Sequence, residues 1–369
     1  MSIKRFAAVF LALIFLFQAG YAAAEDLQQP ELQQLLEREA LHFSETVLTL
    51  PERDYEHAVD LLCTRHFSEA GKIFLSLKTY RNSRKLADLC RTYPGREPKG
   101  AGPLITDANR SREYSGGTLY SHPNGLFYIP HETNEKTSFV LYHSGGGGEE
   151  DYLYYEGLYP YFETYHPNAV IFFSNRSGIG DMDRKNRALF SVLQQLAREC
   201  GLVPYRLSAI GSSSGCYTAI QAAPLIYQEY GIPLSNVCTL DTGMDWVSTG
   251  NLTDAQCDAV AEAGTVFYLF EQEYEGMRSA AIRNMVEHGI ETWLIACKTP
   301  GHNEISVNAY VYGIFSWCAG DPAITLPDYE YVMIKLDPGM TDNGSVRWGM
   351  EPWRARSFAR DQIIQDAAR

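Results

Sequence analysis

The sequence contains no apolar run of about 20 residues, the length that a membrane-spanning helix needs, and no excess of basic residues. Lysine and arginine number 31 against 45 aspartates and glutamates, which gives a formal net charge of −14. The electrostatic field of a negatively charged protein repels nucleic acid and anionic membrane surfaces. We therefore expect no nucleic-acid partner and, once the N-terminal leader described below is removed, no membrane partner.

The eight cysteines include no C-x-x-C pair, the spacing typical of metal and redox sites. Cys238 and Cys297 fall in predicted core strands, where a free cysteine acts as a small apolar side chain. Cys63 and Cys90 are the pair for which we predict a disulfide. We expect neither a metal ion nor another cofactor.

Residues 1–24 have the features of a secretory signal peptide. Lys4 and Arg5 precede the apolar run Phe6–Phe17, and Ala22–Ala24 supply the small residues of a cleavage site. We therefore expect the protein to be secreted or otherwise extracytoplasmic.

Helical periodicity extends over residues 25–93, and a linker rich in proline and glycine follows at 94–114. Within the helical part, Ala58–Arg91 resembles a single helix-turn-helix unit of the tetratricopeptide-like kind. Solenoid repeats usually need about three such units to be stable alone. The resemblance therefore implies an accessory segment, with a protein contact as its expected role.

Short apolar runs alternate with helical patterns over residues 115–320, and a polar extension follows at 321–369. Such alternation predicts an α/β fold with a mainly parallel sheet covered by helices on both faces. The predicted strands are Leu126–Ile129, Ser138–Tyr142, Ala169–Phe173, Leu207–Ile210, Val237–Leu240, Val266–Phe270, Thr292–Ala296 and, in the extension, Tyr329–Leu336. The predicted helices are Arg184–Cys200, Tyr217–Tyr230, Asp254–Ala263, Met277–His288 and Ile305–Trp317.

The Gly-x-Ser-x-Gly pattern at Gly211–Gly215 lies between a predicted strand and a predicted helix. In that context the turn holds its central serine in a strained conformation and exposes the hydroxyl, which makes Ser213 the predicted nucleophile. Glycine and serine are also ordinary turn residues, so the pattern alone does not decide between the two interpretations.

Two further motifs lie at the ends of predicted strands. Four glycines follow His143 and Ser144, and their N–H groups could hold the oxyanion that forms when a carbonyl carbon is attacked. The other interpretation of this run is a flexible linker. His302 follows Gly301 after the last strand of the α/β region, where it could act as the base for Ser213, although a lone histidine is more often structural.

The order of these motifs resembles the α/β-hydrolase superfamily of secreted esterases and lipases, and the resemblance covers residues 115–320. The glycine run resembles the His-Gly-Gly-Gly loop of hormone-sensitive-lipase-like esterases, with Ser144 in place of the first glycine. The match implies that the N–H groups of Gly145, Gly146 and Ser214 form the oxyanion hole. The run is one glycine longer than the family loop.

The acid of the catalytic triad is the least defined member. In the superfamily it usually follows the strand before that of the histidine, which implies Glu271, although aspartate is the more usual residue. Glu273 is nearly as well placed, and Asp241 follows the preceding strand, a position that a minority of lipases use. We prefer Glu271, and the other two stay open.

Residues 151–165 contain seven aromatic side chains, which suit a sugar face or an acyl group, or equally a packed surface helix. Arg176 is a candidate ligand for an acidic substrate. The sequence thus favours hydrolysis of a small-molecule, glycan or acyl ester. A serine peptidase or acyltransferase would use the same groups, and a non-catalytic hydrolase-like binding protein is the alternative from another class.

Overall fold

A computed structural model describes part of the chain, which divides into two compact units, Met1–His57 and Ala58–Arg369. In the first unit, residues 51–57 are helical. In the second unit, residues 58–63 are helical and the sheet described below is the centre. The described residues are 51–99, 102–145, 162, 166–174, 181–240, 251–272, 280–297, 331–336, 341–342 and 345–346.

Most of the strands predicted from apolar runs are found within two residues of their expected ends. The strands are β1 Arg110–Glu113, β2 Gly117–His122, β3 Gly125–Pro130, β4 Ser138–His143, β5 Ala169–Ser174, β6 Leu207–Ser212, β7 Leu234–Leu240, β8 Val266–Gln272, β9 Thr292–Cys297, β10 Tyr331–Lys335, β11 Thr341–Asp342 and β12 Ser345–Val346. Ten of them form one sheet in the order β1-β2-β3-β5-β4-β6-β7-β8-β9-β10, and β11 and β12 form a separate pair.

The centre of the sheet is parallel, from β5 through β4, β6, β7 and β8 to β9. Every residue of β4, β5 and β6 is buried. Parallel strands of this kind are covered on both faces and therefore consist of nearly continuous apolar residues. The predicted α/β fold with its mainly parallel sheet is confirmed.

The helices that connect these strands also agree with the predicted periodicity. In the second unit the described α-helices, besides residues 58–63, are α1 Phe67–Leu77, α2 Ser83–Thr92, α3 Met182–Glu199, α4 Gly215–Tyr230, α5 Asp254–Ala263 and α6 Ala280–Glu287. Helix α4 contacts β4, β6 and β7, and α3 packs against α4, β5 and β4. The helix predicted at Ile305–Trp317 lies outside the described residues.

Phe162 is the one described residue between Gly145 and His166 in the connection from β4 to β5. It is helical and buried, and it stacks on Tyr128 of β3 with ring centroids 4.4 Å apart. It also contacts Phe173 of β5 with ring centroids 6.0 Å apart, so it packs against both strands.

The edges of the sheet extend beyond the segment 115–320. β1 belongs to the segment interpreted as a linker, and its four residues are exposed where it pairs with β2. β10 belongs to the segment interpreted as an extension and pairs antiparallel with β9. No helix in the described part of the chain is long and apolar enough to cross a membrane.

The predicted disulfide between Cys63 and Cys90 is wrong, because both are free buried cysteines. Cys63 contacts the Arg206 guanidinium at the amino end of β6, whereas the Cβ of Cys90 faces Gly71 of α1. Burial raises the pKa of both thiols to about 11. Cys238 is a buried cysteine outside any disulfide, as expected for a core strand.

A small ion network joins the helical residues 58–63 to the amino ends of the central strands. Asp60 contacts Lys136 at 2.6 Å and Arg206 at 3.0 Å, and 24% of the Asp60 side chain is exposed. The N–H of Val203 also donates to the carbonyl of Cys63. This segment is therefore held to the sheet by charge as well as by the main chain.

We predict that Asp60→Asn destabilises the protein by about 1–2 kcal/mol, because it leaves the half-buried Arg206 and the exposed Lys136 without their carboxylate. Denaturant unfolding measures the change. Asp88→Asn is the matched control, since Asp88 is exposed and among the described residues pairs only with Arg91 one turn away, and it should change stability by less than about 0.5 kcal/mol. Equal effects of the two substitutions would contradict the role given to Asp60.

Candidate active site

The turn between β6 and α4 is a strained elbow centred on Ser213. Ser213 has a φ of 49°, in the left-handed region that residues with a side chain rarely adopt. Its N–H donates to the carbonyl of Leu240 at 2.9 Å, and its carbonyl accepts from the N–H of Cys216 at 3.0 Å. These two bonds hold the strained residue between the ends of two parallel strands and the start of the helix.

The two glycines of the motif are required by close contacts. A Cβ on Gly211 would lie 2.5 Å from the Cα of Cys216. A Cβ on Gly215 would overlap the carbonyl oxygen of His143 and lie 2.6 Å from that of Ser144. The Gly-x-Ser-x-Gly pattern is therefore imposed here by the approach of helix α4 to β6 and β4, and the interpretation as an ordinary turn does not explain it.

The elbow lies where the direction of the strand connections reverses. The chain leaves β4 toward β5 on one side, and continues from β6 through β7, β8 and β9 on the other. In open parallel sheets, ligands bind in the crevice outside the carboxyl ends of the strands at this reversal point. Ser213 and the end of β4 flank that crevice.

Ser213 and Ser214 are half-buried, whereas Ser212 is buried. Ser214 is the residue that precedes helix α4, so its N–H belongs to the helix N-terminus, where free donors and the helix dipole favour negative charge. The elbow thus combines a half-buried serine with an electropositive backbone.

The predicted oxyanion loop begins beside the elbow. His143 pairs with Gly211 in the parallel register of β4 and β6, and Ser144 and Gly145 follow directly. The hydroxyl of Ser144 donates to the carbonyl of Ser174, the last residue of β5, at 2.7 Å. The residue that replaces the first glycine therefore ties the loop to the neighbouring strand.

His143 is not the base for Ser213. Its side chain is 1% exposed, and burial, with a smaller effect of the Lys185 charge, lowers its pKa to about 3. Neither ring nitrogen has a hydrogen-bond partner among the described residues. The imidazole is neutral at ordinary pH and is enclosed under the elbow.

The remaining predicted site residues are described in part or not at all. Glu271 is placed by its backbone near the carboxyl end of β8, beside Ala296 of β9, and its side chain lies outside the described part. Gly146, Asp241, Glu273 and His302 also lie outside it, as do Arg176 and most of the aromatic insert at 151–165. Within the described ranges no three His, Cys, Asp or Glu side chains form a group that could hold a metal ion.

Two features of the site had no signal in the sequence. The Ser174 carbonyl accepts from the Ser144 hydroxyl, and the Leu240 carbonyl accepts from the Ser213 N–H. Every residue has a backbone carbonyl, so the sequence does not show which carbonyls are these acceptors. Both carbonyls belong to strand ends that flank the crevice.

We predict that Ser213→Gly is more stable than Ser213→Ala by about 1 kcal/mol, because alanine keeps the left-handed strain and glycine does not. At ordinary positions alanine is the more stable of the two, so the reversed order is the diagnostic result. Thermal or denaturant unfolding of both variants measures it. The usual order, with alanine more stable, would show that Ser213 is unstrained.

No protein-family model and no curated protein matches this chain. Among solved structures, carboxyl esterase 2 from the mycorrhizal fungus Tuber melanosporum aligns with a TM-score of 0.36 and 12% sequence identity. The alignment covers 61% of this chain and 92% of the esterase. A similarity at this level identifies no activity, so the functional conclusion depends on the elbow and the sheet that holds it.

Proposed function

We propose that the protein is a secreted serine hydrolase that cleaves a carboxylic ester through an acyl-enzyme. The observation that carries the proposal is the strained Ser213 between two sterically required glycines, at the reversal point of a parallel sheet. Backbone strain of this kind persists only where the surrounding contacts impose it, and it is concentrated at functional sites. A serine used only for a turn does not need such an arrangement.

In the proposed reaction the Oγ of Ser213 attacks the ester carbonyl carbon while His302 accepts its proton. The tetrahedral intermediate then releases the alcohol, which takes the proton from His302, and the acyl group stays on Ser213. Water, deprotonated by His302, then attacks the acyl carbon. The bond from that carbon to the Oγ of Ser213 breaks, His302 returns the proton to the Oγ, and the carboxylic acid leaves. Glu271 at the end of β8 orients His302 and stabilises its charged form.

The oxyanion is held by backbone donors in this proposal. The N–H of Ser214 lies at the start of helix α4, and the N–H groups of Gly145 and Gly146 follow the end of β4. Donors that are fixed before the reaction lower the barrier because they need no rearrangement as charge develops. The bond from Ser144 to Ser174 supports this role, since it holds the base of the glycine loop.

We propose a small-molecule, glycan or acyl ester as the substrate, with the tyrosines of segment 151–165 along one wall of the pocket, since Phe162 of that segment is buried against the sheet. Tyrosine rings with hydroxyl tips suit sugar faces and amphipathic acyl groups.

We predict that a fluorophosphonate probe labels the folded protein, and that Ser213→Ala abolishes labelling and lowers ester hydrolysis by at least about 1000-fold. The reason is that the probe and the ester both need the Ser213 hydroxyl. The measurement is labelling followed by peptide mapping, together with turnover of acetyl, acyl and aryl esters. Ser121→Ala, at an exposed serine of β2, is the matched control.

Labelling that persists in Ser213→Ala would end the catalytic proposal. So would an absence of labelling in folded protein with the native sequence.

We predict that Ser144→Ala lowers kcat about tenfold with little change in KM, because the glycine loop loses its bond to Ser174 but keeps its own donors. Steady-state kinetics on the best ester of the panel measures both constants. Ser144→Thr keeps a hydroxyl and should recover part of kcat. A Ser144→Ala variant with unchanged kcat would show that the loop is held by other contacts.

A further inference from the structure

Beneath the elbow, three buried polar side chains lie where β4, α3 and α4 meet. We call this group the polar junction: His143 of β4, Asn186 of α3 and Thr218 of α4. Their exposed fractions are 1%, 0% and 1%. None of the three has a role in the reaction proposed above.

Several contacts bring these side chains to the same place. Gly215 packs against the backbone carbonyl of His143, and Thr218 lies three residues further along the same helix, on the same side. The Nδ2 of Asn186 donates to the carbonyl of Thr218 at 2.9 Å, which joins α3 to α4. Lys185, next to Asn186, acts electrostatically on the His143 imidazole, and β4, α3 and α4 contact one another.

Four atoms of the polar junction are without a hydrogen-bond partner in the described part of the chain: Nδ1 and Nε2 of His143, Oδ1 of Asn186 and Oγ1 of Thr218. Burying one such atom unbonded is costly, and a native interior usually contains few of them. Four on three elements that pack against one another therefore indicate a common partner.

The chemistry of the four atoms specifies what that partner must offer. A neutral imidazole has one N–H donor and one lone pair, the amide oxygen only accepts, and the hydroxyl does both. A cation could satisfy only the acceptors and an anion only the donors. Water both donates and accepts, and buried water typically makes about three hydrogen bonds to otherwise unsatisfied groups.

We propose that the polar junction is a buried hydration site, in which one or two ordered water molecules bridge His143, Asn186 and Thr218. The water joins the end of β4 to the first turns of both α3 and α4. It thereby supports the His143–Ser144 backbone against which Gly215 packs. The proposal concerns folding and does not depend on the catalytic one.

A crystal structure at about 1.5 Å resolution or better tests the site directly. We expect electron density for water within hydrogen-bond distance of a His143 ring nitrogen and of Thr218 Oγ1. A dry junction, or direct bonds among the three side chains that leave no room for water, would overturn the proposal.

Substitution tests the same site in solution. Thr218→Val keeps the shape and removes the hydroxyl, so we expect it to raise the unfolding equilibrium constant about fivefold. Thr265→Val is the benchmark, because the buried Thr265 donates to the Leu234 carbonyl at 2.8 Å and loses a known hydrogen bond. Thr218→Ser, which keeps the hydroxyl, should retain its bond to the water and unfold less readily than Thr218→Val.

If Thr218→Val leaves the unfolding constant unchanged or lowers it, while Thr265→Val raises it, Thr218 has no partner and the hydration site is wrong. Probe labelling of Ser213 in the same variants reports separately on the catalytic proposal.

Discussion

The contact between the Gly215 backbone and the carbonyls of His143 and Ser144 is the constraint on which the rest of the site depends. It brings the start of helix α4 onto the end of β4 with no room for a Cβ. Because α4 leaves β6 at Ser213, this approach forces the left-handed turn there. One close backbone contact thus sets the strain of Ser213 and the position of Ser144 together, since both are attached to the two segments that meet.

Much of this arrangement could be predicted from the sequence, because its causes are local. The central strands are buried on both faces and therefore consist of unbroken apolar runs, as at Ala169–Phe173. The elbow could be recognised because steric contact restricts two of its five positions to glycine, which leaves a pattern at fixed spacing. Ser144 and Gly145 could then be placed beside the elbow. They follow β4, and the carboxyl ends of neighbouring parallel strands lie at the same edge of the sheet.

The parts that could not be predicted depend on partners distant in sequence. Strand β1 has four exposed residues and no apolar alternation, so only its pairing with β2 reveals it. Cys63 and Cys90 looked like a disulfide pair, yet their neighbours are Arg206 and Gly71. The unpaired atoms of His143, Asn186 and Thr218 acquire meaning only when three separate elements are brought together.

Ser144 stands at the position where the His-Gly-Gly-Gly loop, which this segment resembles, has its first glycine. A first glycine would leave the run with one more freely rotating residue, and each residue that is fixed costs conformational entropy. A serine restricts the backbone and adds a hydrogen bond to Ser174, a buried residue of β5. The longer glycine run that follows then starts from a fixed point. Ser144 is therefore compatible with the proposed oxyanion loop, because its side chain fixes the residue from which the glycines follow.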